Sequence, residues 1–204
     1  MKLLGRLTSI NVRKVMWTAA LLDLPLDRED WGAGFRSPQE PGYLARNPNG
    51  LIPVLVDGDF TLWESNAICR YLATKLKATG LLPAEPQARA KVEQWMDWQA
   101  GELNNSWRTA FMALVRGQPA TPEAIDAGVA SWNKHMAVLD AHLAKTGAYV
   151  CGDTLTLADV VLGLSTQRWL NAPITHAKLP AVQVYQQRLS AQPGFAAFVG
   201  NGMA

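Results

Sequence analysis

A chain of 204 residues holds one to two domains at about 150 residues each, and 49% apolar residues supply a full core. Charged residues reach only 18%, below the ~25% usual in soluble domains, which excludes disorder and points to surface kept for contact with another chain. The net charge of +2 offers no basic patch for nucleic acid. No run approaches the ~18 apolar residues of a membrane span, so no signal peptide, no membrane contact and a cytoplasmic location are expected.

Residues 2–6 are short and apolar enough for a buried strand. From Val12 the positions Val12, Val15, Met16 and Ala19 follow the i, i+3, i+4, i+7 rule of a one-faced helix, which ends near Leu22 ahead of Leu24-Pro25. Residues 26–30 form a second strand, completing a βαβ unit with a parallel pair. A loop rich in Gly, Pro and Ser (32–42) leads to a helical turn at Tyr43-Leu44 and a turn at Asn47-Pro48-Asn49-Gly50. Residues 54–56 and 60–63 flank Asp57-Gly58-Asp59, a hairpin signature. A helix opens at Ser65 with Ile68, Tyr71 and Leu72 on one face. The order β-α-β-α-β-β-α predicts a mixed sheet of four strands.

Beyond a linker-like stretch at 78–86 the pattern is helical throughout. Val92, Trp95, Met96, Leu103, Phe111, Leu114 and Val115 mark one long helix or a pair, stopping at Gly117-Gln118-Pro119. Ile125 to Leu143 mark another. Thr156 and Asp159 have the spacing of a capping box, with Leu155 and Val160 as the flanking staple of a third helix. A fourth covers 180–191 and breaks at Pro193-Gly194. Cys69 and Cys151 stand too far apart in sequence for a CxxC and read as inert thiols. His135, His142 and His176 lack the spacing of a metal site, so no metal is expected.

Three pieces of the first half converge if this topology holds. Ser9 and Asn11 stand at the start of the first helix, where unpaired backbone N–H groups and the dipole favour an anion. Either could instead serve only to cap that helix. Pro53 enters a strand without a ladder donor, a setting compatible with a cis bond that leaves the Ile52 backbone free to pair with a peptide as an added strand. Glu64 and Ser65 place a carboxylate and a hydroxyl at another helix start, which suits a zwitterion: ammonium on Glu64, carboxylate on Ser65.

These segments resemble the glutathione transferase superfamily, in its bacterial serine- or asparagine-type cytosolic form, along the whole chain. The carriers are Ser9-x-x-x-Arg13-Lys14-Val15, the run Asn47 to Leu55, and Trp63-Glu64-Ser65-Asn66-Ala67-Ile68. Gly152-Asp153-x-x-Thr156-Leu157-Ala158-Asp159 and Pro180-x-Val182-x-x-Tyr185 with Pro193-x-Phe195 complete the set. The resemblance implies a thioredoxin-like domain (1–77), an all-helical domain (87–204), and a homodimer. It also implies glutathione as co-substrate and a hydrophobic electrophile or peroxide as second substrate. Ser9 and Asn11 then become the thiolate donors, with Ile52, Pro53, Glu64 and Ser65 binding glutathione. No cysteine stands in the first loop, so the mixed-disulfide chemistry of the cysteine-type classes is not expected.

Two other readings use the same residues. One is glutathione-dependent disulfide reduction, in which bound glutathione supplies the sulfur. The other is a non-catalytic protein-binding module on the same fold. Trp107, Arg108, Phe111 and Met112 fall where the superfamily keeps its second-substrate pocket, although the i, i+4 spacing of Phe111 is also a core signal.

Overall fold

A computed structural model of the chain describes residues 1–202. The first part carries β1 (Lys2–Leu4), α1 (Ile10–Leu21), β2 (Asp27–Glu29), α2 (Pro41–Leu44), β3 (Val54–Asp57), β4 (Phe60–Trp63) and α3 (Ser65–Lys75). The strands lie in the order β2-β1-β3-β4. β1 and β2 run parallel, with Leu3 opposite Arg28, while β3 is antiparallel to both β1 and β4. This is the mixed thioredoxin-like sheet expected from the sequence.

The sheet is covered on both faces because successive strand side chains alternate. Leu3 and Leu55 point into the main core with Val12, Val15, Ile68 and Leu72 of α1 and α3. Leu4 and Val54 point the other way, against Trp31 and Tyr43. β1 stops at Leu4 and β2 spans only Asp27–Glu29, so both are shorter than expected. At Gly5, φ is +153°, and a Cβ would lie 2.6 Å from Val12 Cγ2 and 3.3 Å from Ile52 Cβ. A side chain there would separate α1 from the Ile52-Pro53 turn.

The remainder is helical: α4 (Pro86–Trp98), a π-helical segment (Gln99–Leu103), α5 (Asn104–Leu114), α6 (Pro122–Thr146), α7 (Leu157–Asn171), α8 (Pro180–Ser190) and α9 (Phe195–Phe198). The single helix or pair expected before Gly117 is thus two helices joined by a π turn. Pro86 belongs to α4 rather than to the linker, because the Glu85 carboxylate caps that helix through the N–H groups of Gln87 and Ala88. The short α9 was not expected; it follows Gly194, whose φ of +74° turns the chain back so that Phe195 meets Trp17 edge-on at 5.7 Å. Residues 203–204, at the end of the expected helical domain, lie outside the described residues.

Thr156 is the N-cap of α7, as its spacing predicted. The buried Asp159 carboxylate accepts from Thr156 N–H (2.8 Å), Thr156 Oγ1 (3.0 Å), Val150 N–H (2.9 Å) and Tyr185 Oη (3.1 Å). One carboxylate therefore ties the start of α7 to the preceding turn and to α8. The main core runs without a break from Leu3 and Val12 to Trp132, Val161 and Leu189, so both halves share it. Trp17 of α1 sits at this junction, where a Cβ on Gly163 would lie 3.1 Å from its ring.

Candidate functional site

α1 begins two residues earlier than its apolar periodicity suggested. Ser9, with φ −83° and ψ 126°, is the N-cap, and its carbonyl accepts the first helical bond from Arg13 N–H at 3.0 Å. Its side chain makes no capping bond. Asn11 lies inside the first turn and not at the cap, because the chain is already helical from Ile10. The N–H groups of Ile10, Asn11 and Val12 precede the first i→i−4 bond and have no partner within the helix.

The Ile52-Pro53 peptide is cis, and Pro53 and Val54 are buried. The turn before it is fixed at Leu51, whose carbonyl accepts from Tyr43 Oη at 2.9 Å and Asn47 Nδ2 at 2.7 Å. Desolvation of the same Tyr43 raises its phenol well above the ordinary range. Ile52 is half-buried.

Glu64 is the N-cap of α3 in a left-handed conformation, φ +71° and ψ 111°. Such a backbone costs a non-glycine residue about 1–3 kcal/mol. The geometry turns the chain sharply from β4 into α3, leaving Glu64 exposed and Ser65 buried at the helix start. A cavity of about 390 Å³ lies in front of them, walled by Asn11, Lys14, Glu64, Ser65 and Asn66 and closed by Asp97 and Asn104 of the helical part. The structure thus brings three of the six sequence-selected residues, Asn11, Glu64 and Ser65, into one wall. Ser9, Ile52 and Pro53 are not part of that wall. A larger cavity of about 480 Å³ lies around Trp31, Arg36 and Glu40 and touches none of the six, so size alone does not select the site.

Lys14, within the Ser9-to-Val15 segment, is a site residue that the sequence reading misses. Its ammonium is buried and donates to Gln99 Oε1 at 2.8 Å and Asn66 Oδ1 at 3.3 Å. Gln99 in turn donates to Ser165 Oγ at 3.0 Å and Asn104 Oδ1 at 2.9 Å. Burial pushes Lys14 down to about 8; the Cys69 thiol and Glu64 pull it upward, and Arg168 adds to the depression. The signal in the sequence is that Arg13 and Lys14 are consecutive charges inside a helix whose neighbours Val12 and Val15 are core. α1 is buried almost all round, including Arg13, Lys14 and Thr18, whereas Met16, expected on its apolar face, is only half-buried. The one-faced reading failed because α1 is packed between α3 and α7.

Both cysteines are free, and desolvation pushes each thiol up to about 11. Neither is a thiolate near neutral pH. Phe111 is buried, with Trp107 edge-on at 5.2 Å and Trp132 at 6.4 Å. Arg36 stacks on Trp31 at 4.0 Å and pairs with Glu29 and Glu40, away from the cavity. Among the described residues no group of three His, Cys, Asp or Glu side chains could hold a metal ion, and no helix is long and apolar enough to cross a membrane.

Residues 1–74 match the family described as "Glutathione S-transferase, N-terminal domain", and residues 122–185 match "Glutathione S-transferase, C-terminal domain". Glutathione S-transferase GstB of Escherichia coli is 38% identical over 193 residues, covering 93% of this chain and 92% of that protein. Glutathione S-transferase 3 of Zea mays is 38% identical over 168 residues, or 77% of this chain and 74% of its own. The theta class glutathione S-transferase of Xanthomonas axonopodis pv. citri, solved with glutathione bound, superimposes with a TM-score of 0.91 at 35% identity. That alignment covers 97% of this chain and 96% of the solved one. A thioredoxin-like sheet fused to a helical bundle, with a polar cavity at the junction and these relatives along nearly its whole length, makes this chain a member of the glutathione transferase superfamily.

Proposed function

We propose that glutathione lies along the cavity between α1 and α3, with its sulfur at Ser9, and that the bound thiolate attacks a hydrophobic electrophile or a peroxide. In this reading the Ile52 backbone pairs with the cysteinyl peptide, Glu64 receives the γ-glutamyl ammonium, and Ser65 with the α3 N–H groups receives its carboxylate. Pro53 keeps that turn from pairing as a ladder donor. The carrying observation is at Ser9: the residue occupies the N-cap without a side-chain capping bond, so its hydroxyl is not held against its own helix and can turn its hydrogen toward sulfur.

The energetics support the assignment. A free thiol titrates near ~8.5, so only a few per cent is ionised at neutral pH. Lowering that value by about two units requires about 2.7 kcal/mol in favour of the thiolate. A hydrogen bond to a charged acceptor contributes about 1.5–3 kcal/mol, and the start of α1 adds about 0.3–1 kcal/mol. Asn11, in the same first turn and in the cavity wall, supplies a second donor or orients the loop. Neither a metal nor a general base is needed for this shift.

The same reading takes 1–77 as the glutathione-binding domain and 87–204 as the helical domain, in a cytoplasmic homodimer. Thiolate absorbance of the enzyme–glutathione complex, followed against pH, tests the central claim. Half-ionisation about two units below the free thiol is expected; a midpoint at the free value overturns it.

A further inference from the structure

The wall of the cavity between α1 and α3 carries four charged side chains, Lys14, Glu64, Arg70 and Asp97. Two of them balance each other: Arg70 donates to Asp97 at 2.6 Å and also lies 3.6 Å from Glu93. Lys14 and Glu64 make no ion pair among the described residues, although Glu64 acts on Lys14 at longer range and favours its charged form. Arg13, next to Lys14 in the chain, is not in this wall and donates to Asn201 Oδ1 at 3.2 Å. One cation on α1 and one carboxylate at the start of α3 thus stand in the wall without a counter-charge in contact.

Lys14 is only 2% exposed, and both its partners are neutral amides turned acceptor-first toward it. Asn66 Nδ2 donates to Met96 O at 3.1 Å, which leaves Oδ1 for the ammonium. Gln99 Nε2 donates to Ser165 Oγ and Asn104 Oδ1, which leaves Oε1. An ammonium has three donors, and the third has no acceptor among the described residues. Burying a cation on neutral partners is expensive. A neutral donor would join α1 to the π turn at lower cost.

The ammonium lies where an anion is expected. Asn66 is the second residue of α3, directly after Ser65, so the charge is packed against the first turn of that helix. The start of a helix favours an anion, and a cation packed there is opposed by the dipole until an anion sits in front. The wall therefore offers a carboxylate at Glu64 and a positive field at Ser65 and Lys14, the complement of a zwitterion.

We propose that Lys14 determines specificity for the first substrate: its ammonium, fixed by Asn66 and Gln99 against the start of α3, selects thiols whose γ-glutamyl end carries a free carboxylate beside the ammonium that Glu64 receives. This rests on the glutathione reading above and deepens it at the end of the tripeptide away from sulfur. Lys14 is a positioning residue; it acts on the carboxylate through its field and through Asn66, and it touches no reacting atom.

Three S-methylated ligands, which have no thiol to titrate, test this by calorimetry on the full chain. They are S-methylglutathione, its 4-aminobutyryl analogue, which lacks only the γ-glutamyl carboxylate, and its glutaryl analogue, which lacks only the ammonium. Lys14→Met should weaken S-methylglutathione and the glutaryl analogue by roughly tenfold each, and the aminobutyryl analogue by less than about twofold. A merely structural lysine gives equal losses for all three, and that result, like no loss at all, overturns the proposal while leaving glutathione transfer intact.

Should the variant not fold, the wild type decides. The glutaryl analogue has no group that titrates between pH 7 and 9, whereas burial holds Lys14 at about 8 in the free protein. The other groups acting on Lys14 are Glu64, the Cys69 thiol of α3, pushed up to about 11, and the Arg168 guanidinium of α7, protonated throughout. Affinity for the glutaryl analogue should fall by roughly fivefold from pH 7 to 9, and a flat profile overturns the proposal. A wild type that binds no S-methylglutathione brings down the glutathione reading and this one together.

Discussion

Lys14 Nζ donates to Gln99 Oε1 at 2.8 Å, with both side chains buried, and so joins the first helix of the thioredoxin-like part to the π turn of the helical part. Lys14 also lines the cavity between α1 and α3. Its consequence for stability is pH-dependent. Below pH 8 Lys14 is protonated in both folded and unfolded chains; between about 8 and 10.5 the unfolded chain holds a proton that the folded one has released. Stability therefore rises with pH across that window. Lys14→Met removes this contribution, so the unfolding free energy of the wild type relative to Lys14→Met should rise by about 3 kcal/mol from pH 8 to 10.5. Urea unfolding of both proteins across this range measures it, and a difference that stays flat or falls contradicts the buried, depressed ammonium.

The sulfur donor is separable from the loop that holds it. Ser9→Ala should raise the pKa of bound glutathione by roughly one to two units, at 1.36 kcal/mol per unit. Activity at pH 7 should then fall about ten- to hundredfold and recover partly as pH rises. Asn11→Ala should shift the titration less. Should Ser9→Ala leave the thiolate absorbance curve unmoved while Asn11→Ala displaces it, Asn11 is the principal donor.

Glu64 combines a strained backbone with an exposed carboxylate, and the two contributions can be measured apart. Glu64→Ala should weaken glutathione by about 1.5–3 kcal/mol, the scale of a charged hydrogen bond. Glu64→Gly should weaken it similarly but also stabilise the fold by about 1 kcal/mol, because glycine accepts φ +71° without a Cβ clash. Calorimetric affinity and thermal midpoints of both variants supply the comparison. Unchanged affinity in both would remove Glu64 from the site.

Asp159 is the most connected carboxylate of the helical part. Asp159→Ala leaves Val150 N–H, Thr156 N–H and Tyr185 Oη without their acceptor. The cost should be about 3–5 kcal/mol, on the order of 10 °C in Tm for a chain of this size. Asp159→Asn keeps one acceptor oxygen and should cost about half as much. A loss below about 1 kcal/mol for Asp159→Ala, read from the same melts, would show that water replaces the carboxylate.

Trp63 and Phe60 at the β4 edge are 37% and 47% exposed, and a chain this poor in charge has surface to bury. A homodimer is expected. Light scattering at micromolar concentration should give twice the 22.3 kDa chain mass; a value near the single chain refutes the dimer.

The sequence alone determined the element order, because it depends on local rules. The short apolar run at the start of the chain, the Asp57-Gly58 turn and the Thr156-to-Asp159 cap each need only a few neighbouring residues. Helix starts and motif order are also what single out Ser9, the Ile52-Pro53 turn and Glu64-Ser65 as the proposed site residues. Tertiary packing decided what local patterns could not. It shortened β1 at Gly5, where α1 and the Ile52 turn press together, and it buried Arg13 and Lys14 by enclosing α1 between α3 and α7. A helix packed on both sides has no solvent face, so charges on it are forced into contact with Gln99, Asn66 and Asn201. Arg168 and Phe111, far apart in sequence, meet only because tertiary packing brings α5 and α7 together, and burial is a property of that packing rather than of any residue's neighbours in the chain.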